Sequence, residues 1–416
     1  MLRPSPGRLL LLLPTATYRA TAFVEAARRL GVELTVASEL PSTFEQVQPA
    51  GLVTLDFSDP ERAAQQAAEF ARRHPIAGVI GVDDDGAVVA AAIAERLALK
   101  GNPPAAALAA RDKHLQRREL ARHGVPVPRF ELHNVDEDVT QLAARVHYPC
   151  VLKPLRLAAS RGVIRADDAP GFGAALERLR TILEQAGCER SILVEDFVPG
   201  PEVALEGLVI DGRLEVLGLF DKPDPLDGPF FEETIYVTPS RLPTPAQQAL
   251  VACGEAAVAA LGVREGPIHA ELRHNARGPW LIELAARPIG GRCSAALRFT
   301  AGEAGRENGL ASLEELIIRH ALGMPLPALE REERAAGVMM IPVPGAGVLR
   351  EVRGIAEARA VPLVEDVAIT AHPREALVPW PEGSRYPGFI FARGETPEAV
   401  ERALRAAHGR LTFVLE

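Results

Sequence analysis

Cysteine is scarce in this chain. The four residues Cys150, Cys188, Cys253 and Cys293 are far apart among 416, with no CxxC pair and no histidine at metal-ligand spacing. A disulfide framework and a thiolate zinc site are thereby excluded, and reduced thiols in a cytoplasmic protein are expected. No run approaches the ~18 apolar residues that span a membrane. The leucines at residues 9–13 follow Arg3 and Arg8 and stop at Pro14, which falls short of the ~7–15 residue apolar region of a secretory signal. They read instead as a first buried strand. Basic charge is also short, since the formal net charge is −9, and no electrostatic footprint for nucleic acid remains. No GxGxxG follows the first strand, so no NAD site is expected.

What is present is an ordinary globular composition, 47% hydrophobic and 24% charged, at a length that suits two to four domains of ~100–200 residues. Up to about residue 108 the pattern alternates. Strands are expected at residues 9–13, 33–38, 52–57 and 78–82, and helices at 20–30, 60–73 and 86–97, which implies βαβ units and a parallel sheet. A helix over residues 105–124 ends at Gly124. An α+β region follows, with strands at 150–154, 191–196, 203–210 and 214–220 and a helix at 245–261. The charged run Glu330, Arg331, Glu332, Glu333 and Arg334 suggests a boundary before a tail of short strands with one helix at 397–407.

Two glutamates stand out. Residues 269–273 and 280–285 are strand-like, and the turn residues between them suggest a hairpin centred near residue 277 that would set Glu271 opposite Glu283. Opposed residues hold their Cβ atoms about 5 Å apart, where like charges destabilise unless neutralised. A divalent cation is the simplest answer, and carboxylate ligation suits Mg²⁺, which completes its shell with water and phosphates. The hairpin thus suggests a nucleotide site. Lys153 follows the apolar pair Val151 and Leu152 and precedes a turn of small residues, so that its ammonium and the loop amides could reach phosphate oxygens. Lys113, and the run from Glu195 through Val198, Pro199, Gly200 and Pro201 to Glu202, are unremarkable by themselves.

Taken in order, Lys113, a Lys-Pro pair with a small-residue loop, E-x-x-x-x-G-P-E and two acidic strands resemble the ATP-grasp superfamily over roughly residues 75 to 300. The string IELAARPIGG and the tail from AHPREALVPW are similar to the L-amino acid ligases. The resemblance implies an α/β and α+β chain. An N-terminal Rossmann-like parallel-sheet domain would fill residues 1–108, and an ATP-grasp domain 109–327 with its lid at about 145–200. A small α+β C-terminal domain would fill residues 336–416.

The resemblance also implies roles. Lys113 and Lys153 would contact ATP phosphates, under a loop of Ser160, Arg161 and Gly162. Glu195, Asp196, Phe197 and Val198 would flank adenine, with Glu202 on the ribose. Glu271 and Glu283 would ligate Mg²⁺, with Mn²⁺ as an alternative, and Lys222 would meet the γ-phosphate. Arg287 shares the strand parity of Glu283 and would stabilise the acyl-transfer species. Glu233, His269, Gly290, Gly291 and Arg292 are candidates for the substrate. Two departures are the glycine-poor loop and Ala285, where many members of the family carry a ligating asparagine. The implied activity joins a carboxylate to an amine, both small molecules of the amino-acid class, through an acyl phosphate, with ADP and phosphate released. Neither a nucleic acid nor a membrane is implied as partner, and a homodimer is compatible. An ATP-grasp carboxylase using bicarbonate, of the biotin-carboxylase or purine type, and a non-catalytic nucleotide-binding protein are the alternatives.

Overall fold

The computed structural model describes residues 7–15, 17, 19–300 and 309–416. Arg3 lies outside them. The leucine run is the strand Arg8–Leu12, flanked in parallel by Glu33–Ser38 and Gly78–Gly81, with Leu52–Thr54 at the edge. Its hydrophobicity is continuous because both faces are covered. Leu10 and Leu12 pack on Ala63, Ala67 and Ile93, whereas Leu9 and Leu11 join the core around Phe23 and Leu316.

A second sheet is antiparallel, in the order Phe130–Asn134, Ser191–Asp196, Cys150–Pro154 and Ile164–Ala166. The helix Ala169–Ala186 lies on it through Phe172, Leu176, Leu179 and Leu183. The third sheet has eight strands, in the order Gly278–Ala285, Gly266–Asn275, Glu202–Ile210, Arg213–Asp221, Ile235–Thr238, Ala335–Met340, Gly388–Gly394 and Val364–Ile369. It joins strands from both sides of the charged segment at residues 330–334, because Ile235–Thr238 pairs with Ala335–Met340.

The helix expected at residues 105–124 is two helices, Pro104–Arg111 and Lys113–Arg122. Asp112 breaks it. Its backbone is extended, and its carboxylate accepts from the amides of His114 and Leu115, so the residue caps the second helix. Lys113, Gln116 and Arg117 then share one face at spacings of three and four residues. That face covers the open edge of the strand Gly278–Ala285. The Gln116 amide donates to the Leu284 carbonyl at 2.6 Å and accepts from its N–H at 3.0 Å, as a neighbouring strand would.

Gly81 ends the last strand of the parallel sheet, against the start of the helix Asp84–Arg96. An added Cβ there would lie 2.1 Å from the Gly86 carbonyl carbon and 2.4 Å from the Ala87 nitrogen, both backbone. Gly81→Ala should therefore cost at least about 1–3 kcal/mol. Thermal unfolding beside the wild type checks this, and an unchanged melting temperature would refute the contact.

Candidate active site

The site grows from two adjacent strands. On Gly266–Asn275 the residues His269, Glu271 and Arg273 alternate onto one face, and the register sets them against Glu206, Ala204 and Glu202 of the neighbouring strand. Two of these pairs are ionic. Arg273 Nε meets Glu202 at 2.9 Å, and His269 Nδ1 meets Glu206 at 3.2 Å. On that neighbouring strand Glu271 faces the small Ala204, which leaves space above it. Lys222 enters that space, donating to Glu202 at 2.7 Å, to Glu271 at 2.9 Å and to Glu233. Carboxylate oxygens of Glu202, Glu233 and Glu271 lie within 4.8 Å of one another, a grouping able to hold a cation.

Burial and charge divide these acids. Burial would raise Glu271, but Lys222 and His269 outweigh it and hold its carboxyl well below the ordinary range. For Glu233 burial prevails over Lys222, helped by the charge of Glu271, and its pKa rises to about 7. Burial opposes a proton on His269, yet hydrogen bonds to Glu206 and Glu271 lift it to about 8. The constellation is therefore poised to exchange protons or cations near neutrality.

Glu283 does face Glu271, but not through the turn alone. With Asn275 opposite Gly278, a regular ladder would set Glu271 against Ile282. A bulge shifts the register, so Glu271 meets Glu283 and Leu272 meets Leu281. The displaced Ile282 carbonyl accepts from Arg117, whose Nε also meets Glu195 at 2.5 Å. Lys113, one turn earlier, meets Glu283 at 3.1 Å and donates to the Leu157 carbonyl at 3.1 Å. The two facing glutamates are thus answered by different lysines, Lys222 and Lys113.

Lys113, Lys153, Ser160, Glu195, Asp196, Phe197, Val198 and Glu202 line one cavity together with Glu271 and Glu283. Its apolar end is a small cluster of Val151, Val163, Leu226 and Phe231, with Phe197 against it. Lys153 meets Glu195 at 2.6 Å, so the Glu195 side chain serves as an internal counter-ion. The Val198 carbonyl accepts from Arg273 at 2.7 Å.

A second cavity is lined by Arg287, His269, Tyr236, Gly290, Gly291 and Asp84, among others. The two share Ala158, Ala159, Ser160, Glu233, Glu271 and Glu283. The acids consequently stand at their junction. Arg287 lies just past the strand Gly278–Ala285, and its Nε donates to Asp84 at 3.1 Å. Gly291 has φ +58 and a Cβ there would meet Met340 Sδ at 2.3 Å, so a side chain is barred on both counts.

Three expected site residues, Arg161, Gly162 and Arg292, are not among the residues that line the two cavities. Arg161 and Gly162 line neither cavity but bond to Glu382 and Pro381. The Arg292 guanidinium stacks over the rings of Phe391 and Phe389, 5.1 and 5.7 Å from their centroids. Arg117, Arg273, Asp84, Glu206 and Tyr236 are site residues that the sequence reading did not single out. The parity of His269, Glu271 and Arg273 could have exposed Arg273. Nothing local signals Asp84, which is 203 residues from Arg287.

Glu195 supplies a pH test. Burial would raise its carboxyl, but Arg117 and Lys153 outweigh burial and lower it. A lowered folded pKa contributes stability that is present above the ordinary value of 4.5 and is lost on acidification through the folded value. Glu195→Gln should cost about 3–5 kcal/mol at pH 7, as expected for one partner of a buried pair. Its stability should also fall less steeply than the wild type below about pH 4.5. Denaturant unfolding across pH decides, and parallel profiles would remove Glu195 from this role.

Comparison with known proteins finds matches along most of the chain. Residues 24–101 match the ATP-grasp N-terminal domain, 146–296 the ATP-grasp domain, and 339–416 the L-amino acid ligase C-terminal domain 2. The solved L-amino acid ligase from Bacillus licheniformis is 26% identical and superposes with a TM-score of 0.78, covering 99% of each chain. Dapdiamide A synthase of Enterobacter agglomerans is 30% identical over 189 residues, 44% of this chain and 43% of that protein. Alanine–anticapsin ligase of Bacillus subtilis is 28% identical over 215 residues, 47% of this chain and 45% of that enzyme. Less than half of each of these two relatives is matched. With three matches in chain order and a full-length likeness to a solved L-amino acid ligase, the chain carries ATP-grasp domains and is similar throughout to the L-amino acid ligases.

Proposed function

We propose that the protein is an ATP-dependent ligase that joins the carboxyl of one amino acid to the amine of another. The observation that carries this reading is the junction of the two cavities at Glu233, Glu271 and Glu283. A nucleotide in the first, with its base toward Phe197 and Phe231 and its phosphates toward Lys113 and Lys153, would direct its γ-phosphate at that junction. The second cavity brings Arg287 to the same place.

The substrate carboxylate oxygen attacks the γ-phosphorus and ADP leaves, which gives an acyl phosphate. The amine then attacks the acyl carbon, the phosphate departs with the bonding pair, and the amine gives up a proton. No protein nucleophile is needed, and catalysis rests on positioning and on neutralising charge. Glu271 and Glu283 would hold Mg²⁺, or Mn²⁺ in its place, and an all-oxygen donor set suits either. Ala285 is buried and offers no ligand atom. Glu233, from the loop before the strand Ile235–Thr238, is grouped with Glu202 and Glu271 and could supply the carboxylate that this position lacks. Bound there, the ion would offset the negative charge of the transferring phosphoryl group. Lys222 already sits between these acids and keeps them together, and from there it would meet the γ-phosphate.

The Arg287 guanidinium, oriented by Asp84, would face the oxyanion of acyl transfer, where a planar fork with several donors is well matched. Gly290 and Gly291 would let backbone approach a substrate carboxylate. The finer assignment, which amino acids are joined, calls for a screen of amino-acid pairs for phosphate release. ADP formed with bicarbonate in place of amino acids would indicate a carboxylase, and no ADP under any condition would indicate a binding protein.

Glu283→Gln should reduce ADP formation by at least about a hundredfold, since even outer-shell partners of a metal reach that range. The fold should persist, because only the ion pair with Lys113 is lost. Normal turnover would sink the metal assignment. Arg287→Lys keeps the charge but not the fork, and should lower turnover far more than affinity for an ATP analogue. Product formation and calorimetric binding measured on the same preparation test this. An effect limited to nucleotide affinity would return Arg287 to a structural pair with Asp84.

A further inference from the structure

The loop that separates the two cavities is unusual in its backbone. Ala159 and Ser160 have φ of 55° and 54°, and Gly162 has 72°. Residues with a Cβ avoid this region, so two of them in sequence persist only where the surroundings over-determine the conformation. A glycine-rich loop would hold the same shape without help. Here the help comes from residues 380–382. The Trp380 indole N–H donates to the Ala159 carbonyl at 2.8 Å, the Gly162 N–H donates to the Pro381 carbonyl at 2.9 Å, and Arg161 Nε donates to the Glu382 carbonyl at 3.1 Å. The Glu382 carboxylate is clasped in bidentate fashion by Arg178 of the lid helix Ala169–Ala186, with one bond of 2.7 Å.

The same segment has a second side. Ser384, Arg385 and Tyr386 line the cavity that holds Arg287. The Tyr386 ring packs on Trp380 with centroids 4.8 Å apart. One aromatic pair, of buried Trp380 and half-buried Tyr386, thus connects a cavity wall to the donor that holds the loop.

We propose that residues 380–386 are a two-sided positioning element, latching the loop at residues 159–162 on one side and walling the amino-acid cavity on the other. Filling that cavity and clasping the nucleotide are then energetically coupled. Such coupling is reciprocal, so each ligand tightens the other by the same factor. The nature of the two ligands rests on the ligase reading above, whereas the latch rests only on the contacts of the ligand-free chain.

The experiment compares wild type with Trp380→Phe, which keeps a ring against Tyr386 but removes the donor to Ala159, and with Glu382→Gln, which weakens the grip of Arg178. Trypsin is applied to ligand-free protein, and mass spectrometry follows cleavage after Arg161. Calorimetry then measures the affinity for a non-hydrolysable ATP analogue with and without a mixture of the common L-amino acids. Melting temperatures verify that each variant is folded. Trp380→Phe should be cut after Arg161 roughly five times faster, as the loss of one hydrogen bond predicts. The factor by which amino acids tighten the analogue should fall toward one. Cleavage at the wild-type rate in both variants overturns the latch, and faster cleavage with an unchanged coupling factor overturns the two-sided role. A wild type that binds no nucleotide analogue would instead defeat the ligase reading, while the cleavage comparison, which needs no ligand, would still decide the latch.

Discussion

The ammonium of Lys222 is the interaction on which the site depends. It is buried and bonded to Glu202, Glu233 and Glu271, three acids that could not remain ionised side by side without it. Each acid comes from a different strand or loop, so one cation fixes the relative positions of the strands Glu202–Ile210, Arg213–Asp221 and Gly266–Asn275 at the point where the cavities meet. The charges beside it are arranged to match. Arg273 takes the other oxygen of Glu202, His269 bridges Glu206 and Glu271, and Ala204 leaves the gap through which Lys222 enters.

A second buried cation, Arg117, performs the corresponding task at the sheet edge. It holds Glu195 of the lid sheet and the bulged Ile282 carbonyl of the hairpin, and so ties the strand beside the nucleotide cavity to the strand that carries Glu283. Gln116 and Lys113, on the same helix face, secure the neighbouring residues of that strand. The helix break at Asp112 is what starts this face at Lys113. Holding the strand that carries Glu283 and protecting a sheet edge are here served by the same three side chains.

The two cavities are kept distinct by a loop only a few residues thick. Nucleotide-binding loops commonly rely on glycine for their positive φ angles. This one uses alanine and serine and relies on residues far along the chain to hold its shape. The glycine-poor sequence of the loop between the cavities is matched by contacts that no local reading could include.

Much was legible in the sequence because it depends on short-range periodicity. Leucines buried on both faces announced the central parallel strand, and the alternation of His269, Glu271 and Arg273 set three charged side chains on one face. The order of lysines and acids along the chain identified the superfamily, since side-chain type and spacing are what a motif records. Tertiary structure decided the rest. The bulge that brings Glu283 to Glu271 depends on Arg117 capturing a displaced carbonyl, and Arg287 meets Asp84 across 203 residues. Arg292 stacks over the faces of Phe389 and Phe391. The sequence by itself determined which groups could carry charge and which face of an element they share. Which opposite charge answers each of them was set by folding, because that choice lies between groups remote in the chain and is settled only when burial makes an unanswered charge too costly to keep.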